Sequence, residues 1–127
     1  MRFVLILAGM ASSAFAQAPS GLDWALQEVI FEPADAAPDA RDMVRLRYLS
    51  DPLSDTTAFS YEQIEADFMH YCQGDGLAQM RQSAPNATQI IISVASGKLA
   101  FGETAPEIVQ YFEAFRPEGD VCIWDDL

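Results

Sequence analysis

The chain has 127 residues, 50% of them hydrophobic, with 19 Asp and Glu against 7 Lys and Arg and a net charge of −12. That balance speaks against nucleic acid, whose phosphates need clustered Lys and Arg, and against adsorption to an anionic membrane face. The length suits one domain with a single modest core, and the acidity serves solubility or steers a partner with a basic surface.

Residues 1–16, MRFVLILAGMASSAFA, read as a cleaved secretory signal. Arg2 is the only charge, an apolar run from Phe3 to Met10 follows, and small Ala14 and Ala16 suit a cut before Gln17. The apolar run is too short for a membrane span of about 20 residues, which leaves an uncleaved anchor or a buried first helix as the weaker alternatives. No cysteine follows the cut, so lipid attachment is not expected. Residues 17–127 then form one domain, periplasmic or secreted, without stable membrane insertion, and every acidic residue lies within it.

Gln17 to Gly21 reads as a flexible leader. Leu22 to Phe31 supplies a first strand through Trp24, Leu26, Val29 and Phe31, and the Pro, Asp and Ala of 32–42 make a loop. Met43 to Leu49 alternates, with Val44, Leu46 and Tyr48 on one face and Arg45 and Arg47 on the other, as a half-buried strand does. Ser60 and Gln63 form a capping box that opens a helix, along which Ile64, Phe68, Tyr71 and Cys72 make one apolar stripe. Gly74 and Gly76 weaken or end it, and a short helical piece follows from Leu77 to about Arg81.

Gln89 to Val94 (QIIISV) is the best candidate for a central strand. Ser96-Gly97 looks like a turn and Lys98 to Phe101 a returning strand. Thr104 to Glu107 is a second capping box, predicting a helix with Ile108 and Phe112 inward. Glu113 to Arg116 and Val121 to Trp124 read as a closing hairpin. This order predicts an α+β fold, a small antiparallel sheet with two helices packed on it and one disulfide.

The disulfide rests on cysteine usage. Cys72 and Cys122 are the only cysteines, and in an oxidising compartment their pairing is the default, with free thiols or an intermolecular bridge as alternatives. A bridge closing a loop of about 50 residues is worth about 4 kcal/mol in the chain-entropy model, and would pin the first helix to the last strand. There is no CxxC pair of the kind a redox site needs.

Little else carries chemistry. His70 is the single histidine; as an acid or base it needs an orienting carboxylate, which Asp67 or Glu65 could supply, but no nucleophile motif accompanies it. His70, Cys72, Asp67 and Asp75 lack the spacing of a zinc set, and neither Asp51 with Asp55 nor Asp125 with Asp126 matches a calcium loop. Gly74-Asp75-Gly76 lacks the lysine of a phosphate loop, and the Asn86-Ala87-Thr88 sequon is too short to weigh. Tyr111, Phe112, Phe115 and Trp124 suit core packing, or a binding patch if one edge is exposed.

Cys72, QIIISV, Phe101-Gly102, YFEAF (111–115) and CIWDDL (122–127) resemble a family of small exported alphaproteobacterial proteins, the domain of unknown function 6497. The resemblance covers about 60 to 127, while residues 17–60 depart from it. It implies a single small domain with the same two cysteines and transfers no catalytic or binding residue.

The functional expectation is an exported, non-catalytic binding or interaction module. Phe115, Trp124 and Asp125 form its expected interaction edge, an envelope protein with a basic surface is its expected partner, and neither cofactor nor metal is expected. The alternatives are a small hydrolase using carboxylates or His70, and a purely structural envelope component.

Overall fold

A computed structural model describes residues 17–33 and 42–125. The signal-like segment 1–16, most of the 32–42 loop and Asp126 lie outside the described residues.

Strands β1 (Ala25–Glu32), β2 (Met43–Leu49), β3 (Gln89–Ala95), β4 (Gln110–Glu118) and β5 (Val121–Trp124) form one sheet in that spatial order. Between β2 and β3 the chain passes through a short 3-10 turn, Asp51–Ser54, and then a helix. Helix α1 (Tyr61–Tyr71) continues without a break through a π-helical turn, Cys72–Gly76, into α2 (Leu77–Ser83). The fold is therefore α+β, with one long helix lying on a mixed sheet.

Two parts of the expected architecture are corrected. The sheet is not purely antiparallel, because β2 pairs β3 in parallel, Met43 opposite Gln89 through Leu49 opposite Ala95. A parallel pair needs a long crossover, and the helix between these strands is that crossover. The second capping box opens no helix. Residues 105–108 make a single turn, Ile108 N–H donating to Ala105 O at 3.0 Å. Phe112 lies in β4 opposite Ser93, and Lys98 to Phe101 is loop rather than strand. Pairing along the β-branched run of β3 overrides the local helical signal of Thr104 to Glu107.

The first helix signal is realised. Ser60 N–H donates to Gln63 Oε1 at 2.7 Å, closing the N-terminal turn. Gly74 and Gly76 widen the helix into the π turn instead of ending it. At Gly76 a Cβ would lie 3.2 Å from Ile90 Cγ2, so glycine lets the helix approach β3 closely.

The apolar stripe of the helix, Ile64, Phe68 and Cys72, covers one face of the sheet, and the inward residues of β2 and β3 meet it: Val44, Leu46, Tyr48, Ile90, Ile92 and Val94, all fully buried or nearly so. Leu22 and Trp24, ahead of β1, close one end of this core. The disulfide joins Cys72 in the π turn to Cys122 in β5, their Cα atoms 6.3 Å apart. The opposite face of the sheet carries Arg45, Arg47, Ser93 and Phe112, partly crossed by the loop 96–109. Both ends of that loop meet at Ser96, whose N–H donates to Val109 O and whose Oγ accepts from Val109 N–H, each at 2.9 Å.

Candidate functional site

The N-terminal segment does not trail freely. Ala18, Leu22 and Trp24 are buried, and the backbone N–H and the hydroxyl of Ser20 both donate to the carboxylate of Asp67 on α1. Trp24 lies flat against Tyr71, ring centroids 4.6 Å apart, and its backbone N–H donates to the Tyr71 hydroxyl at 3.2 Å. Its indole Nε1 is buried with no hydrogen-bond partner among the described residues, while the ring itself contacts Tyr48, Phe68 and Tyr71.

Docking this segment against the end of α1 creates a cavity of about 760 Å³. Gln17, Ala18 and Asp23 line it from the N-terminal side; His70, Tyr71, Gly74, Asp75 and Ala78 line it from the helix and its π turn. π turns inside helices recur at functional sites, and here the extra width carries Gly74 and Asp75 into the wall. Asp75 accepts from the Tyr48 hydroxyl at 2.9 Å. Burial first, and then the Asp75 charge and hydrogen bond, push that phenol well above the ordinary tyrosine range. Tyr71 is pushed up as well, chiefly by burial. The His70 ring meets Tyr71 edge-on at 5.0 Å. Chemically the cavity offers two carboxylates, one imidazole and an aromatic wall.

The expected His70–Asp67 pair does not form a dyad. Asp67 is fully buried and committed to Ser20, while His70 opens into the cavity beside Asp23 and Asp75. Among the described residues no group of three or more His, Cys, Asp and Glu is placed to hold a metal ion. Asp55 accepts from the backbone N–H groups of Thr57 and Ala58 and so fixes its own turn.

The expected interaction edge separates into two environments. Phe115 has no exposed surface and belongs to the core, because on β4 it points at the helix between Ile90 and Trp124. Trp124 packs on it at 4.6 Å yet stays 40% exposed on the edge strand β5. Asp125 follows, accepting from Gln89 Nε2 at 3.1 Å with Arg116 Nη1 3.9 Å away. The rest of the aromatic cluster disperses: Tyr111 packs on Tyr61, and Phe112 is exposed on the far face.

Sequence reasoning missed Asp23 as a neighbour of Tyr71 and Asp75, since it lies far from that helical pair in the chain and meets it through the docking of the N-terminal segment at Ser20 and Asp67. The one local signal was Gly74-Asp75-Gly76, whose two glycines surround an acid inside an otherwise helical run.

Among the described residues these features define a small α+β domain, a single long helix on a mixed five-stranded sheet, stapled by a disulfide and carrying an acidic cavity at its N-terminal seam. The chain belongs to the family of unknown function DUF6497, whose sequence model matches residues 4–127 and so takes in residues 17–60, which the resemblance did not reach. No curated protein and no solved structure matches it. No helix among the described residues is long and apolar enough to cross a membrane.

Proposed function

We propose that this protein is an exported, non-catalytic binding module whose cavity receives a basic side chain of an envelope partner. Export is supported by the signal-like segment 1–16 and by the Cys72–Cys122 disulfide, a bond that persists in oxidising compartments. The observation that carries the binding reading is the cavity wall, where Asp23 and Asp75 stand around the Tyr71 ring. The alkyl stem of a Lys or Arg packs along the ring while its charged head meets the carboxylates. The net charge of −12 draws such a partner in. Trp124 and Asp125 at the β5 edge provide the second contact, an aromatic anchor with an acid beside it.

A small hydrolase is the second reading, favoured by His70 sharing the cavity with the two carboxylates. Against it stands Asp67, which Ser20 occupies and which therefore does not orient the imidazole.

Titrating the mature chain with arginine amide, followed by amide chemical shifts, tests the binding reading. Shifts at Asp23, His70, Tyr71, Gly74 and Asp75 that vanish in an Asp23→Asn, Asp75→Asn variant support it. Saturable ester hydrolysis lost in His70→Gln would replace it with the second reading.

A further inference from the structure

The sheet face turned away from the helix carries a second site of opposite chemistry. One rung of residues crosses it from β1 to β4: Glu28, Arg47, Ser93 and Phe112. Arg45 stands beside this rung on the same face of β2. The loop 96–109 lies along it, held where Arg47 Nη2 donates to Leu99 O at 2.8 Å. Phe101, at the loop tip, covers both guanidiniums, 5.0 Å from Arg45 and 5.8 Å from Arg47. Between loop and strands lies a cavity of about 200 Å³, lined by Arg45, Arg47, Ser93, Phe101, Thr104 and Phe112 among others.

The two arginines differ in what they have left to give. Arg47 is committed on both sides, Nη1 to Glu28 and Nη2 to Leu99 O. Arg45 uses only Nε, donating to Glu32 at 3.2 Å. Its two Nη groups make no hydrogen bond or ion pair among the described residues, although the side chain is only 19% exposed. The Ser93 and Thr104 hydroxyls are likewise without a hydrogen bond among the described residues. A guanidinium fork whose stem is buried and whose free donors open into the cavity, beside free hydroxyls, is matched by the two oxygens of a carboxylate. Phe101 and Phe112, 51% and 56% exposed, are apolar walls that no described residue covers fully.

We propose that this cavity binds a small monocarboxylate with a planar or branched apolar body, its oxygens on the Arg45 fork and its body between Phe101 and Phe112. Charge penalises a phosphate dianion more than a monoanion, which the Arg45 fork has to hold by directed hydrogen bonds rather than by net charge. Glu32 and Glu28 already counter the two guanidiniums, Glu103 adds a negative wall, and the chain as a whole is strongly acidic. The site lies on the opposite side of the sheet from the acidic cavity and does not depend on it.

The probes are benzoate and 3-methylbutanoate, with benzamide and phenylphosphonate as controls, titrated into the mature chain and followed by chemical shifts. Either carboxylate should perturb Arg45, Ser93, Phe101 and Phe112, while benzamide and phenylphosphonate bind at least tenfold more weakly. Arg45→Gln should weaken binding tenfold or more, and Glu103→Gln should tighten it severalfold. Phe112→Ala, a change at an exposed position that leaves the core untouched, should weaken it severalfold even if Arg45→Gln fails to fold. Absence of perturbation at the site by both carboxylates overturns the proposal. So does benzamide binding as well as benzoate, or Phe112→Ala binding unchanged.

Discussion

The buried carboxylate of Asp67, in the middle of α1, receives both the backbone N–H of Ser20, at 2.9 Å, and the Ser20 hydroxyl. This contact turns what reads as a leader into a wall of the acidic cavity. Asp67→Ala removes the acceptor of the partly buried Ser20 N–H and hydroxyl and is expected to lower stability by about 1–3 kcal/mol. Limited proteolysis should then cut within residues 17–24 first, while Glu65→Ala, on the exposed side of the same helix, leaves both the melting temperature and the cleavage pattern unchanged. Equal protection in Asp67→Ala and the parent chain would show that Ser20 is held by something else.

The Cys72–Cys122 bridge ties the π turn to the edge strand β5, and both cysteines are buried. Replacing both by Ser should cost about 2–5 kcal/mol, read as a lower urea midpoint. Because the sulfurs are shielded, reductant should act slowly on the folded protein and much faster as urea opens it. Rapid reduction under native conditions would contradict this burial.

Alkaline pH should unfold the domain through its tyrosines. Tyr48 is pushed well above the ordinary tyrosine range by burial and then by Asp75; Tyr61 is pushed up by partial burial and then by its hydrogen bond to Glu113. The folded state therefore holds these protons more tightly than the unfolded chain does. Stability is complete below the unfolded tyrosine value of about 10 and falls as pH rises through it. Tyrosinate absorbance should show Tyr48 and Tyr61 ionising together with loss of circular dichroism. Ionisation of both in a chain that remains folded would refute the assignment.

Phe115 and Trp124 touch, yet their truncation should act on different properties. Phe115→Ala empties a fully buried site and should cost about 3–5 kcal/mol. Trp124→Ala removes a partly exposed ring and should cost much less, while weakening partner capture if the β5 edge is a contact. A thermal melt of each variant distinguishes the two.

The legible parts of the fold were those with strong local period. The alternation of Val44, Leu46 and Tyr48, the β-branched run of β3, and the Ser60–Gln63 cap with its apolar stripe all map onto the elements they suggest. Thr104 to Glu107 misled because a capping box is a purely local signal, whereas Phe112 and its neighbours gain more by pairing with β3. Parallel pairing of β2 with β3 was hidden for a related reason: the helix that makes it possible says nothing about strand direction by its own pattern. The acidic cavity was invisible because Asp23 and Asp75 become neighbours only after Ser20 docks on Asp67. On the far face, Arg45 and Arg47 were legible as one side of a strand. Their different commitments were not, because these depend on Glu28, Glu32 and a loop carbonyl brought in from elsewhere.

The central claim, an exported module that takes a basic group into the Asp23–Asp75 cavity, is tested most directly by a photo-crosslinking residue placed at exposed Ala78 in living cells. The account predicts one reproducible adduct with an envelope protein, lost in the Asp23→Asn, Asp75→Asn variant while the variant keeps its circular dichroism and its disulfide. An adduct that persists unchanged in that variant, or no adduct from this position at all, would contradict it.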